Sequence, residues 1–278
     1  MKTIGVIGLG IIGGAWAHRY SVAGQLVGTW NRSPKPSAPA WKTSPAEVAA
    51  AADVTQIVVA DPAAVELVLK AIVPALGPGK YVVQSSTIDP ESSARFQAMV
   101  QATGAHYVEC PFTGSKPAAE EGKTVYFMGG APADIDAVLP LLRLVSEVQF
   151  TIGTGEQAAA IKLAMNLNLA VQMEALSESL TFARKAGISD ETYFDVLAKN
   201  AGYSPLAKMK ELKLRAGNYD PQFSVKHMHK DMRLASATAG CADYPLLEAV
   251  RERLKLAEAR GMGDADYCAL IRLLQQAD

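Results

Sequence analysis

The chain changes rhythm near residue 150. Before that point, short apolar runs at residues 4–7, 26–30, 55–60, 80–85 and 106–109 are separated by stretches with apolar residues at helical spacing, and helices are predicted to start at Pro62 and Pro90. Runs of this kind predict short apolar strands, and their alternation with helices predicts βαβ units. A strand at 123–128, a helix at 134–145 and a last strand at 148–152 complete the pattern. The expected architecture is α/β, a parallel, doubly wound sheet. Between Ser33 and Ser44 three prolines and little periodicity stand where such folds commonly carry a helix, so that crossover is expected to be abbreviated.

Past Gly153-Thr154-Gly155 the pattern becomes purely helical. Residues 156–185 contain neither proline nor glycine and are dominated by Ala, Leu, Met and Glu, which predicts one helix of about 30 residues. Helical patterns follow at 246–259 and 265–276, so the second domain reads as all-α. The predicted domains are 1–154 and 155–278, joined by the long helix. A helix of that length exceeds what one small domain covers. It is expected to run between domains or to pack against a second copy, in a homodimer or tetramer. No internal repeat or low-complexity segment is present.

At 278 residues the chain can bury a full core, and 49% hydrophobic and 20% charged residues with a net charge of −1 describe a globular rather than a disordered chain. Lys and Arg are scattered singly among acids, which argues against a nucleic-acid or membrane partner. The N-terminus imitates a secretion signal, with Lys2 before an apolar run and Ala15-Trp16-Ala17 resembling a cleavage site. Glycines at 5, 8, 10, 13 and 14 would break a signal helix, so that reading is set aside. No later stretch approaches the roughly 18 uninterrupted apolar residues of a membrane span. Cys110, Cys241 and Cys268 are odd in number, far apart and without a C-x-x-C; they read as reduced thiols of a cytoplasmic protein, with no metal site.

Candidate chemistry begins in the first turn. Gly8, Gly10 and Gly13 form G-x-G-x-x-G between the first strand and the first helix, the context of a dinucleotide pyrophosphate loop that also includes Leu9, Ile11 and Ile12. The following helix N-terminus offers N–H groups and partial positive charge to phosphate. The second strand ends in Asn31-Arg32-Ser33, with no carboxylate to bind an adenosine ribose. A guanidinium at Arg32 can pair with a 2′-phosphate, which predicts NADP(H) as cofactor.

The long helix carries Lys162 and Asn166 four residues apart and therefore on one face. Lys162 either snorkels to water or faces something polar; Asn166, unfavourable inside a helix, suggests that the pair does the latter together. An ammonium in reach of a carbonyl can stabilise the charge that hydride transfer places on oxygen and supply the proton. Ser86 and Thr87 follow the fourth strand, where they either cap a helix or face a ligand. Thr113-Gly114-Ser115 follows the fifth, as an ordinary turn or a loop for a substrate carboxylate. Lys230 and Asp231 read in isolation as a surface ion pair, and His227 and His229, two apart, lack the spacing of helical metal ligands.

In combination these segments resemble the β-hydroxyacid dehydrogenase family over nearly the whole chain. The resemblance rests on the glycine loop, Asn31-Arg32-Ser33, Ser86-Thr87-x-x-Pro90, Pro111-x-Thr113-Gly114, Gly155 through Lys162 to Asn166, and Phe223 through Lys230-Asp231. Gly114 through Gly122 is most similar to the glyoxylate and succinic semialdehyde reductase branch. The resemblance implies a Rossmann domain, a helical domain and a carboxylate-bearing carbonyl substrate. It makes Lys162 the general acid, Asn166 its helper, and Thr87 and Thr113 part of the substrate lining. Phe223, Lys230 and Asp231 would close over nicotinamide and substrate. The family usually has Ser where Thr113 stands, which would reshape the carboxylate pocket. An imine reductase shares Trp30-Asn31-Arg32-Ser33 but generally lacks the lysine, and a non-catalytic dinucleotide-binding scaffold would have lost it.

Overall fold

The computed structural model describes residues 1–238, 240 and 243–275; Cys241 and the end of the helix predicted to reach Gln276 lie outside them. The described chain divides into two compact units, the first ending at Lys162 and the second starting at Leu163.

In the first unit β1 (Ile4–Ile7), α1 (Ile11–Val22), β2 (Leu26–Trp30), α2 (Pro45–Ala51), β3 (Val54–Ile57), α3 (Pro62–Ile72), β4 (Tyr81–Gln84), α4 (Pro90–Gln101) and β5 (His106–Glu109) alternate. β1 and β3 are buried along their whole length, as fully covered parallel strands must be. α2, α3 and α4 each start with a proline in the first turn and a capping side chain, Ser44, Asp61 and Asp89. Proline gives up an N–H that has no helical partner there, and the cap satisfies another. The crossover after Ser33 is indeed short in helix. Its irregular part runs beside β2, with Thr29 N–H donating to Ala40 O and Lys42 N–H to Thr29 O, and only the seven residues of α2 follow.

The remainder is β6 (Phe112–Thr113), α5 (Lys116–Glu121), β7 (Thr124–Gly129), α6 (Pro132–Leu142) and β8 (Ser146–Gly153). Strand order is β2-β1-β3-β4-β5-β7-β6, with β8 on β7. The first five strands are parallel; β7 runs antiparallel to β5, and β8 parallel to β7. The sheet is parallel-dominated, as expected, with an antiparallel step after β5. β6 folds back antiparallel onto β7, so the chain reverses at the end of β5 instead of crossing a face of the sheet.

The second unit is helical. The long helix α7 spans Gly155–Lys185, 31 residues, and enters this unit from the first. α8 (Asp190–Leu197), α9 (Pro205–Ala216), α10 (Val225–Ala237) and α11 (Pro245–Ala259) follow, packed around Met173, Leu180, Phe194, Met228 and Leu254. The predicted helix at 265–276 is replaced by a 3₁₀ turn, Tyr267–Ile271, and the one-turn α12 (Arg272–Gln275). All five residues of the turn are buried, so there is no polar face for an amphipathic α-helix to present. Asp266 starts the turn by accepting the Cys268 N–H and holds the buried Lys210 ammonium at 2.7 Å.

Candidate functional site

The glycine loop between β1 and α1 has the geometry its spacing predicts. Gly8 sits at φ +104°, and a Cβ there would lie 2.1 Å from Val58 O; one on Gly13 would lie 1.9 Å from Gly8 O. Both positions exclude any side chain. A Cβ on Gly10 would meet nothing within 4 Å, so its missing side chain leaves open space against the backbone. Gly10 is the N-cap of α1 and supplies no side-chain hydrogen bond, unlike the residues that cap α2, α3 and α4. The first N–H groups of α1 thus adjoin open space with no capping oxygen, the arrangement a pyrophosphate takes over. A dinucleotide fits this loop.

Leu9 is buried, Ile11 exposed and Ile12 half-buried. Asn31 braces the loop: its Oδ1 accepts the Leu9 N–H at 2.9 Å and its Nδ2 donates to Ser33 O at 2.8 Å. Arg32 and Ser33 are exposed beyond the end of β2. Lys35, which the sequence reading did not single out, donates to Leu9 O at 2.6 Å. With Gly10, Ile11, Gly14 and His18 it lines a cavity of about 400 Å³ beside α1.

The ends of β4 and β5 carry the other predicted loops. Ser86 is buried and its Oγ accepts the Val59 N–H at 2.8 Å; Thr87 is half-buried. The capping reading of Ser86 and Thr87 is corrected, because Asp89 caps α4 through the Ser92 N–H. Thr113 lies on β6, and Gly114 follows at φ +131°, where a Cβ would press to 3.2 Å on Ala118 and Thr124. Ser115 is the N-cap residue of α5 and makes no side-chain capping bond. Lys162 is brought to Phe112, the residue before Thr113 on β6. Its side chain is buried, with Nζ 5.9 Å from the centroid of the Phe112 ring, and that ring packs edge-on against Trp16 of α1 at 4.7 Å. Cation and aromatic face attract, so the ring helps hold the charge. Lys162 does not simply snorkel to water.

In the second unit Asn166, Lys230 and Asp231 converge. Asn166 Nδ2 donates to Asp231 Oδ2 at 2.5 Å, and Lys230 Nζ lies 2.7 Å from Asp231 Oδ1. Asp231 is 1% exposed, so the surface ion pair read from sequence is corrected to a buried cluster. Phe223 is half-buried, stacked on His227 and edge-on to Tyr267. His227 bonds Ser224 Oγ and His229 bonds Glu258, consistent with structural roles; burial lowers the His227 pKa.

Sequence reasoning missed Lys35, Phe112 and the buried Glu109. Two of these stand beside residues it did name, which was the available signal; Glu109 is a single acid at the end of an apolar strand.

Comparison with known proteins gives the family and the fold. Residues 3–153 match the profile of the NAD binding domain of 6-phosphogluconate dehydrogenase. Residues 156–274 match that described as NAD-binding of NADP-dependent 3-hydroxyisobutyrate dehydrogenase. The chain is 31% identical to glyoxylate/succinic semialdehyde reductase 1 of Arabidopsis thaliana, over 98% of both proteins. It is 30% identical to the chloroplastic reductase 2 of the same plant, over 99% of this chain and 80% of that protein. Its fold superposes on Mycobacterium tuberculosis 3-hydroxyisobutyrate dehydrogenase with a TM-score of 0.90 at 24% identity, covering 99% of each chain. With both halves matched and a relative 31% identical over 98% of both proteins, the chain belongs to the β-hydroxyacid dehydrogenase family of NAD(P)-dependent oxidoreductases.

Proposed function

We propose that the protein uses NADPH to reduce a small aldehyde acid or 2-oxo acid, of the glyoxylate or succinic semialdehyde type, to the hydroxy acid. The observation that carries this is the buried Lys162 ammonium held over the Phe112 ring of β6, the strand that leads through Thr113 into Gly114 and Ser115. The glycine loop and the N-terminus of α1 would hold the pyrophosphate of NADPH, and the bound cofactor would supply the hydride. Thr113, Gly114 and Ser115 hold the substrate carboxylate through hydroxyl and N–H groups, with Ser86 and Thr87 on the neighbouring strand end. Lys162 stabilises the negative charge developing on the carbonyl oxygen and donates the proton that completes the alcohol. Asn166, one helical turn on, is fixed by Asp231, itself paired with Lys230. Arg32 and Ser33 carry the preference for NADPH, since no acid at the end of β2 repels a 2′-phosphate.

No helix among the described residues is long and apolar enough to cross a membrane, and Cys110 and Cys268 are free and buried, which supports a protein of a reducing compartment. The test is a screen of purified protein with NADPH and NADH against short aldehyde acids, 2-oxo acids and cyclic imines. Turnover of the carbonyl acids with NADPH is expected. Turnover of imines alone would move the protein to imine reduction, and no turnover of any carbonyl acid would reject the assignment.

A further inference from the structure

Glu109 ends β5 with a side chain that is 0% exposed, and the chemistry proposed above makes no use of it. A buried carboxylate is costly unless its oxygens are bonded. Here three donors reach them: Gln84 Nε2 bonds Oε1 at 2.7 Å, and Ser93 Oγ and the Tyr107 hydroxyl bond Oε2 at 2.8 and 2.7 Å. An apolar side chain could fill this space with no polar group to desolvate, so the contribution of the acid has to be sought in what its partners hold.

Two of those partners lead to the site. The Gln84 amide donates its second N–H to Ser86 O at 2.9 Å, and its Oε1 accepts the Ser86 N–H at 2.6 Å. An amide side chain can flip; turned the other way it would set its N–H groups against the Ser86 N–H and its oxygen against Glu109 Oε1, which stays an acceptor in the protonated acid because the proton can sit on Oε2, where the Ser93 and Tyr107 hydroxyls can accept it. Glu109 therefore selects the one orientation that bonds both backbone groups of Ser86. On the other side stands Gly155, the first residue of α7, where a Cβ would lie 3.0 Å from Ser93 Oγ and 3.4 Å from Glu109 Cβ. Lys162 follows about two turns along the same helix.

We propose that Glu109 is a positioning residue, which through Gln84 clamps Ser86 and with it Thr87, and through Ser93 seats the start of the helix that carries Lys162. The functional half of this rests on the reductase reading of those loops; the clamp itself does not.

The experiment compares Gln84→Met, Glu109→Leu and Glu109→Gln with the wild type in NADPH affinity, in kcat and KM with the best carbonyl acid, and in amide hydrogen exchange across residues 84–88. Gln84→Met keeps the length of the side chain and deletes the amide. Glu109→Gln keeps an acceptor for Gln84 and offers N–H groups to the Ser93 and Tyr107 hydroxyls, which then accept. Gln84→Met and Glu109→Leu are expected to exchange the Ser86 amide about tenfold faster and to lose about tenfold or more in kcat/KM, with NADPH affinity within about threefold of wild type. Glu109→Gln is expected to stay within about threefold throughout, a rescue that a lost cavity filler would not show. Wild-type exchange at Ser86 in Gln84→Met overturns the clamp, and faster exchange with unchanged kcat/KM overturns the positioning role. Should Glu109→Leu fail to fold, the other two variants decide. A wild-type protein inactive on every carbonyl acid defeats the reductase reading instead, and the exchange rates still decide the clamp.

Discussion

Lys162 was legible in the sequence because a lysine and an asparagine one turn apart, in a helix otherwise rich in Ala and Leu, violate its apolar pattern together. Its burial and its place over Phe112 give that violation a physical content. Replacing it with Met keeps most of the volume and deletes the charge. Lys162→Met should therefore bind NADPH as the wild type does and lose about 10²–10⁴-fold in kcat, the loss typical of a general acid. Single-turnover kinetics with the best substrate will check this, and a near wild-type rate would place the proton donor elsewhere. Arg32→Ala should cost about 1.5–3 kcal/mol of NADPH binding, the range for a hydrogen bond to a charged group, and leave NADH binding nearly unchanged. Titration with the two cofactors separates these outcomes; equal losses for both would remove Arg32 from cofactor choice. Glu109 was not legible for a converse reason. One acid after three strand residues breaks no periodicity, and its partners at 84, 93 and 107 come from three different elements. The Lys230-Asp231 pair misled in the same way, since adjacency in sequence cannot tell a buried pair from a solvated one.

Among elements, those that announce themselves locally were read well. α3 and α4 start at the predicted prolines, and α7 ends where the stretch free of glycine and proline ends. What the sequence did not reveal depended on distant chain: the direction of β7, on which no expectation was made, goes with its pairing to β6, and the predicted helix at 265–276 gives way to the 3₁₀ turn at Tyr267–Ile271, buried on every side. The β1–α1 loop can be tested as an element, because its glycines have different reasons for being there. Gly13→Ala must push a Cβ into Gly8 O, so stability and NADPH binding should both fall. Gly10→Ala meets no protein atom within 4 Å. It should cost the fold at most about 1 kcal/mol, the difference between Gly and Ala at an N-cap, while NADPH affinity drops sharply because the methyl occupies space left for pyrophosphate. Thermal melts with and without NADPH will distinguish the two. A Gly10→Ala protein that still binds NADPH normally would show that the open space serves no ligand.

Over the whole molecule, Glu109 ties stability to pH. Burial raises its pKa from the ordinary 4.5 to about 8, against the lowering effect of its three hydrogen bonds. Between those values the folded chain keeps a proton that the unfolded chain has released, so stability should fall as pH rises from about 4.5 to about 8 and level off above. At about 1.4 kcal/mol per unit, the upper bound is about 5 kcal/mol. Glu109→Gln cannot titrate, so the difference between its denaturation midpoint and that of the wild type should track this window; a difference independent of pH would refute it. Assembly is the larger question at this scale. The helical unit leaves Phe182 of α7, Val196 of α8 and Leu212 of α9 at 78%, 65% and 77% exposure. Scattered single apolar residues need no partner, but the helical unit exposes these three together with Met209 and Ile188, and we propose that a partner covers them. A second copy of the chain is the expected cover, in a dimer or tetramer that buries more than about 2,000 Å², as obligate interfaces do. Light scattering at micromolar protein should then give a mass at least twice that of the chain. Phe182→Glu with Leu212→Glu should reduce it, because a charge buried at an apolar interface is costly on both copies at once. A monodisperse wild-type monomer would overturn the assembly and leave these side chains as surface features of a protein that acts alone.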